Sequence, residues 1–348
     1  MTTKKIGFTC AYAPVPIIEA AGFAPFRVFP ETDSKDQSGH MLHDNLCPHV
    51  KKVLDRALDE DLPELEGMVF INSCDSMRRL SDAWQEARPY DRTILLDLPS
   101  SNTDASITFL ASEYKRMLKT LCQWNSVDVS LDNLKSRIDA WNTLSQTLGN
   151  IEHAMGNNFY PGLFSQYQKI INYAAMHGAD KAFLKAKEID LDRISPQKGH
   201  APVFIFGNLL FDPKVFNLFE EWNMHVIDND FCTGSRFVNP VDYDVSQDLF
   251  YSLALSWMNR TPCARTMDIA DPGAMARKIV DRAKSCNARG VIGFTVKFCD
   301  PYLARIPMIR EALQQESIPF LMLEGDCTLG SMGQQQTRIE AFTEMLEV

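Results

Sequence analysis

Two cysteine–aspartate pairs end apolar segments in the two halves of the chain. "GMVFINSCDS" (67–76) carries Cys74, and "GVIGFTVKFCDP" (290–301) carries Cys299. A third cysteine, Cys47, opens "CPHVKKVLDRALDE", where the proline after it suits the first position of a helix. The positive end of a helix stabilises a thiolate, which is the form of cysteine that binds metals. These three cysteines are therefore predicted metal ligands.

The spacing of these cysteines leaves the kind of metal open. They lack the short Cys-x-x-Cys spacing of a zinc ribbon. Three thiolates leave one iron of a [4Fe-4S] cube open, whereas a closed structural site needs a fourth ligand. Asp300 is predicted either to cap a helix or to lie beside the ligands. The cysteines predicted as further ligands, neighbours of the ligands or simply buried residues are Cys10, Cys232, Cys263 and Cys327.

The surrounding pattern predicts the elements that position these residues. Short apolar runs alternate with helical patterns in residues 1–110 and again in 199–348, which is typical of βαβ units with parallel sheets. Between them, residues 111–198 carry apolar residues at helical spacing only. The predicted fold is therefore α/β, with two doubly wound, Rossmann- or flavodoxin-like parallel-sheet domains and a helical domain between them. Open sheets of this kind bind ligands at the carboxyl ends of their strands.

Composition excludes several classes of function. The 348 residues carry a net charge of −10 and are 45% hydrophobic, which argues against a nucleic-acid or anionic-membrane surface. No apolar run approaches the roughly 18 residues of a membrane span. The N-terminus lacks the apolar region of a signal peptide, so the predicted compartment is the cytoplasm, where disulfides are not expected. The chain has no P-loop motif for ATP hydrolysis and no dinucleotide-binding glycine motif.

An ordered set of motifs resembles the 2-hydroxyacyl-CoA dehydratase and benzoyl-CoA reductase family. The set comprises "CAYAPVPIIEAAGFAPFRV", "LCPHVK", "INSCDSMRRLSDAW", "LLDLPS", "VIDNDFCTGSR", "GVIGFTVKFCDP", "LMLEGD" and "GQQQTRIEAFTEML". The resemblance implies that Cys47, Cys74 and Cys299 hold a [4Fe-4S] cluster with one iron open. It also implies a homologous second subunit or a homodimer, and a separate iron–sulfur ATPase activator.

The resemblance implies an activity and leaves alternatives. A dehydratase of this family converts a 2-hydroxyacyl-CoA into an enoyl-CoA through a ketyl radical. The alternatives are a low-potential reductase, with either a benzoyl-CoA substrate or an [8Fe-9S] double-cubane cluster that recruits further cysteines, and a non-catalytic partner subunit. Relatives carry an acidic residue near the position of Pro16, whereas here Glu19 follows three residues later, which slightly favours the partner subunit. Arg236 and Arg338 are predicted to bind an anionic part of the substrate.

Overall fold

The N-terminal half contains a parallel sheet of four strands. The computed structural model describes residues 3–30, 35–244, 247–260, 263–327 and 333–347. The strands are hydrogen-bonded in the order β2-β1-β3-β4, and every neighbouring pair is parallel. They are β1 (Lys5–Phe8), β2 (Ala24–Arg27), β3 (Gly67–Asn72) and β4 (Thr93–Asp97).

The C-terminal half repeats this arrangement. Its sheet has the order β6-β5-β7-β8, which is again second, first, third and fourth along the chain, and all its pairs are parallel. All seven residues of β7 are buried, as expected for a strand covered on both faces. The strands are β5 (Ala201–Gly207), β6 (Met224–Asp230), β7 (Gly290–Val296) and β8 (Phe320–Gly325).

Helices connect and cover these strands. Those of the N-terminal half are α1 (Val15–Ala20), α2 (Pro48–Leu58) and α3 (Asp75–Ala87). Four successive helices then follow without a strand among them: α4 (Asp104–Asn125), α5 (Leu131–Asn157), α6 (Leu163–His177) and α7 (Ala179–Ala186). Those of the C-terminal half are α8 (Pro213–Glu221), α9 (Leu249–Asn259), α10 (Ala274–Ser285), α11 (Asp300–Gln315) and α12 (Gln336–Glu347).

The predicted fold class is confirmed, because two parallel four-stranded sheets are flanked by helices. The division at residues 110/111 and 198/199 stays a prediction; residue 110 lies inside α4. The pattern of residue types did not indicate α9, whose residues are apolar on several faces and pack against α4. In the part of the chain that the structure describes, no helix has the length and apolar character that crossing a bilayer requires.

The four central helices hold the two sheets together. The indole Nε1 of Trp141 in α5 donates a hydrogen bond to the carbonyl of Asn239 at 3.0 Å. The neighbouring Asn142 bonds both the carbonyl (2.8 Å) and the amide (2.7 Å) of Val241. Both α4 and α5 begin at a hydroxyl cap, from Thr103 and Ser130 respectively. Hydrogen bonds from α5 therefore fix the segment that follows β6.

Candidate functional site

A cavity lies at the carboxyl ends of the strands of both sheets. Its volume is about 100 Å³, whereas one water molecule needs about 10–15 Å³ by this kind of measure, so there is room for a group of several atoms. Six of the nine cysteines of the chain line it. We call this space the thiol cavity; its cysteines are Cys10, Cys47, Cys74, Cys232, Cys263 and Cys299.

Each of the three predicted ligands stands at the N-terminus of a helix. Cys47 is the N-cap of α2, Cys74 that of α3 and Cys299 that of α11. In each case a backbone amide of the helix's first turn lies near the cysteine sulfur and acts to lower its pKa. The strand-to-helix turns after β3 and β7 therefore present Cys74 and Cys299 in equivalent positions of the two sheets.

The three thiols are close enough to influence one another. Burial raises the pKa of Cys47 to about 12, and the proximity of Cys299 and Cys74 adds to the rise. Burial raises the pKa of Cys74 to about 12 as well, with Cys10, Cys299 and Cys263 contributing. The pKa of Cys299 is also raised, mainly by burial. Helix N-termini alone therefore do not ionise these thiols, since burial outweighs them. A cation in the cavity would reverse this balance.

The other thiols of the cavity come from both halves. Cys10 follows β1, Cys232 follows β6, and Cys263 lies in the loop before α10. The Cys232 thiol donates to the carbonyl of Asn208, and its sulfur lies 3.9 Å from Nη2 of Arg27. Burial raises the pKa of Cys232 to about 11, whereas Arg27 opposes the rise.

Three predicted site residues lie outside the lining of the cavity. Cys327 is partly buried, and Cys47 and Cys232 are near enough to help raise its pKa. Asp300 is exposed in the first turn of α11. Arg338 is exposed and donates to the carbonyl of Met322 at 2.8 Å. The structure thus places Cys327 beside the cavity but does not bring Asp300 or Arg338 into it.

Arg236, by contrast, lines the cavity and is buried. Its Nε lies 2.8 Å from Oδ1 of Asp230, and its Nη2 donates to the hydroxyl of Tyr302 at 3.0 Å. The Tyr302 hydroxyl donates in turn to the carbonyl of Gly207 at the end of β5. Nη1 of Arg236 has no partner among the described residues. Its role in binding an anion stays a prediction, and the hydrogen bonds of the Tyr302 hydroxyl to Arg236 and Gly207 fix the start of α11 against β5.

Three further arginines line the cavity that the sequence interpretation did not single out: Arg27, Arg260 and Arg265. Arg27 ends β2 and is 1% exposed. Arg265 donates from Nε to the carbonyl of Ser73 at 2.7 Å and from Nη2 to that of Asn72 at 3.2 Å. Arg27 could have been found from the sequence, because it is the one charged residue in the apolar run "FAPFRVF". Arg260 caps the end of α9 and Arg265 lies in a loop, and neither gives such a signal.

Glu19 lies away from the cavity. Its Oε1 accepts a hydrogen bond from the backbone amide of Ala179 at 3.1 Å, at the N-terminus of α7. Its Oε2 has no partner among the described residues. Burial raises the pKa of Glu19 to about 7. Glu19 therefore links α1 to the central helices, and the described lining of the cavity contains no Asp or Glu.

The donors of the thiol cavity are of a kind that binds iron–sulfur clusters. No three His, Cys, Asp or Glu side chains among residues 3–30, 35–244, 247–260, 263–327 and 333–347 are arranged to hold one metal ion. Soft thiolates select iron–sulfur clusters, zinc or cuprous copper. Six thiols around one buried space therefore match the chemistry of an iron–sulfur cluster.

Comparison with known proteins identifies the family. The family model described as "2-hydroxyglutaryl-CoA dehydratase, D-component" matches residues 10–346. The chain is 23% identical to lactoyl-CoA dehydratase subunit beta of Anaerotignum propionicum, over 98% of this chain and 91% of that protein. It is 24% identical to (R)-2-hydroxyglutaryl-CoA dehydratase subunit beta of Acidaminococcus fermentans, over 99% and 92%. It is 18% identical to a benzoyl-CoA reductase subunit of Thauera aromatica, over 99% and 91%. The chain therefore belongs to the 2-hydroxyglutaryl-CoA dehydratase D-component family, as its motifs predict.

Proposed function

We propose that this chain is an iron–sulfur subunit of an ATP-activated dehydratase that converts a 2-hydroxyacyl-CoA into an enoyl-CoA through a ketyl radical. The observation that carries the proposal is the thiol cavity, because six thiols meet at the carboxyl ends of both sheets. The names of the relatives support the substrate class, since two of them are dehydratases of 2-hydroxyacyl-CoA thioesters. Those names also support a partner subunit. The family resemblance of the motifs implies a separate ATPase activator, which is part of the proposal; the chain itself has no P-loop motif.

Cys47, Cys74 and Cys299 are the proposed ligands of a [4Fe-4S] cluster. Such a cluster, when bound, supplies low-potential electron transfer and an open iron position that acts as a Lewis acid. The protein's own contribution is to bury the cavity and to hold the elements that line it in position. Arg265 ties the C-terminal half to the ends of β3 and β4. Its guanidinium donates to the carbonyls of Asn72 and Ser73 at the end of β3 and to those of Leu98 and Pro99 after β4. Arg236 and Tyr302 fix the helix that Cys299 begins.

Iron and sulfide counts after anaerobic purification test this proposal. About four irons per chain are expected for one cube. Serine substitution of Cys47, Cys74 or Cys299 should abolish the bound iron in each case. Cys122→Ser and Cys286→Ser are matched controls, because both residues lie outside the cavity lining. Zinc without iron in the wild-type chain, or full iron in Cys299→Ser, would refute the assignment.

A second candidate is a low-potential reductase with a double-cubane cluster. The observation that favours it is that the cavity is lined by six cysteines, about the number of thiolates that an [8Fe-9S] cluster needs. Cys10→Ser, Cys232→Ser and Cys263→Ser separate the two candidates. Loss of iron in these variants, with about eight irons in the wild type, selects the double cubane; retention of about four selects the single cube. Turnover of a 2-hydroxyacyl-CoA by this chain with the activator alone, without a partner subunit, would exclude a non-catalytic role for this chain.

A further inference from the structure

The wall of the thiol cavity has an unbalanced positive charge. Four arginines line it, and its described lining contains no Asp or Glu. Arg236 is paired with Asp230. The other three, Arg27, Arg260 and Arg265, have no carboxylate partner among the described residues. Guanidinium groups stay protonated in proteins, so three positive charges face or flank this space without an acidic counterpart.

Arg260 is buried, and two of its guanidinium nitrogens have no partner among the described residues. It is 5% exposed, and its guanidinium lies over the ring of Tyr12, 4.1 Å from the centroid. Its Nη1 donates to the carbonyls of Ala11 at 3.2 Å and Arg236 at 3.1 Å. Its Nε and Nη2 have no partner among the described residues. Leaving buried charged donors unpaired costs more than leaving neutral ones, so these atoms point to an anionic ligand.

Arg27 and Arg265 place their charges beside the thiols themselves. Arg27 donates from Nη1 to the carbonyl of Cys232 at 2.7 Å and lies 3.9 Å from its sulfur. Arg265 stands two residues after Cys263, and its electrostatic neighbours include Cys263, Cys10 and Cys74. Among the described residues, the hydrogen-bond partners of both guanidiniums are backbone carbonyls and, for Arg27, the sulfur. Carbonyl dipoles stabilise these positive charges but do not neutralise them, so the charges can interact with an anion that the thiols bind.

We propose that Arg27, Arg260 and Arg265 are the counter-charge of an anionic iron–sulfur cluster in the thiol cavity and raise its reduction potential. This inference rests on the proposed function, because it presupposes that the thiols hold iron. A cluster with three or more thiolate ligands is negatively charged, and burying such a charge is costly unless cations accompany it. Reduction adds a further negative charge, so nearby guanidiniums stabilise the reduced form more than the oxidised form. Without them the potential falls.

The test is a redox titration of the reconstituted chain, monitored by the electron paramagnetic resonance signal of the cluster. Arg260→Gln, Arg27→Gln and Arg265→Gln should each shift the midpoint potential to a more negative value. Arg260→Lys, which keeps the charge, should have a midpoint potential close to that of the wild type. The control is Arg56→Gln, because Arg56 is also buried but is paired with Asp61 outside the cavity lining. Its potential should match the wild type.

Iron content and thermal unfolding of the iron-free chain are measured beside the potential. A glutamine variant that unfolds like the wild type but no longer retains iron also supports a counter-charge, provided that Arg260→Lys retains it. If Arg260→Gln fails to fold, the partly exposed Arg265 decides. Arg265→Gln should lower the potential or lose iron, and Arg265→Lys, which keeps the charge but not the guanidinium bonds to the ends of β3 and β4, should not. Unchanged potential and iron content in the folded glutamine variants overturn this inference alone. A wild-type chain that never takes up iron overturns the proposed function as well, so the two failures are distinguishable.

Discussion

Replacing Glu19 by glutamine should remove a pH dependence of stability without touching the cavity. Burial raises the pKa of Glu19 from 4.5 to about 7. Between these values the folded chain holds a proton that the unfolded chain has released, so the free energy of unfolding falls as the pH rises. The stabilisation is fully present below pH 4.5 and is lost as the pH passes 7. At 1.36 kcal/mol per pKa unit, this loss is about 3 kcal/mol.

Glutamine keeps the acceptor for the Ala179 amide and carries no charge at any pH. Urea unfolding followed by tryptophan fluorescence at pH 4.5 and pH 8 should therefore show the variant gaining about 3 kcal/mol relative to the wild type over that interval. Glu86→Gln, at an exposed position, should show no such gain. Iron content should equal that of the wild type, because Glu19 does not line the cavity. A constant difference between variant and wild type at both pH values would refute the reasoning.

Three further predictions concern stability. Glu152→Gln should remove a second decrease in stability between pH 4.5 and 7, because burial raises the pKa of the Glu152 carboxyl to about 7. Glutamine can still accept the hydrogen bond from the Tyr167 hydroxyl. Urea unfolding across that pH range checks this. Gly207→Ala should lower the free energy of unfolding by at least about 1–3 kcal/mol, because its Cβ would overlap the carbonyl oxygen of Phe294; retained stability contradicts the packing. Gly149 lies on the exposed face of α5 with open space around it, so Gly149→Ala should instead raise the free energy of unfolding by about 0.5–1 kcal/mol. A higher melting temperature than that of the wild type checks this.

The strands and the three helix-start cysteines could be predicted because their signals are local. An apolar run such as "GVIGFTV" identifies β7 by itself. The cysteine that follows stands at a carboxyl strand end whatever the rest of the fold does. Two of the cavity arginines, Arg260 and Arg265, give no comparable signal. Arg260 ends a helix and Arg265 lies in a loop, and their partners are backbone carbonyls of residues far away in sequence. Carbonyls are present at every residue, so no pattern of residue types marks them.

The protonation of the thiols was also beyond sequence reasoning, for a related reason. A helix N-terminus is visible in the sequence as a cysteine followed by proline or aspartate, and it favours the thiolate. Burial depends on the packing of both sheets, and it raises the pKa of Cys47 to about 12 despite that N-terminus. The local effect and the tertiary effect have opposite signs here, and the tertiary effect is larger.

The repeated strand order explains why one cavity draws residues from both halves. In each sheet the chain reverses its direction of growth between the first and third strands, that is, between β1 and β3 and between β5 and β7. A crevice opens at such a point, outside the carboxyl ends of the strands. Cys10 and Cys74 follow β1 and β3, and Cys299 follows β7. Since all three line one cavity, the two crevices face each other. A group bound there would touch both sheets, so its binding should depend on the contacts that hold the halves together, Arg265 foremost.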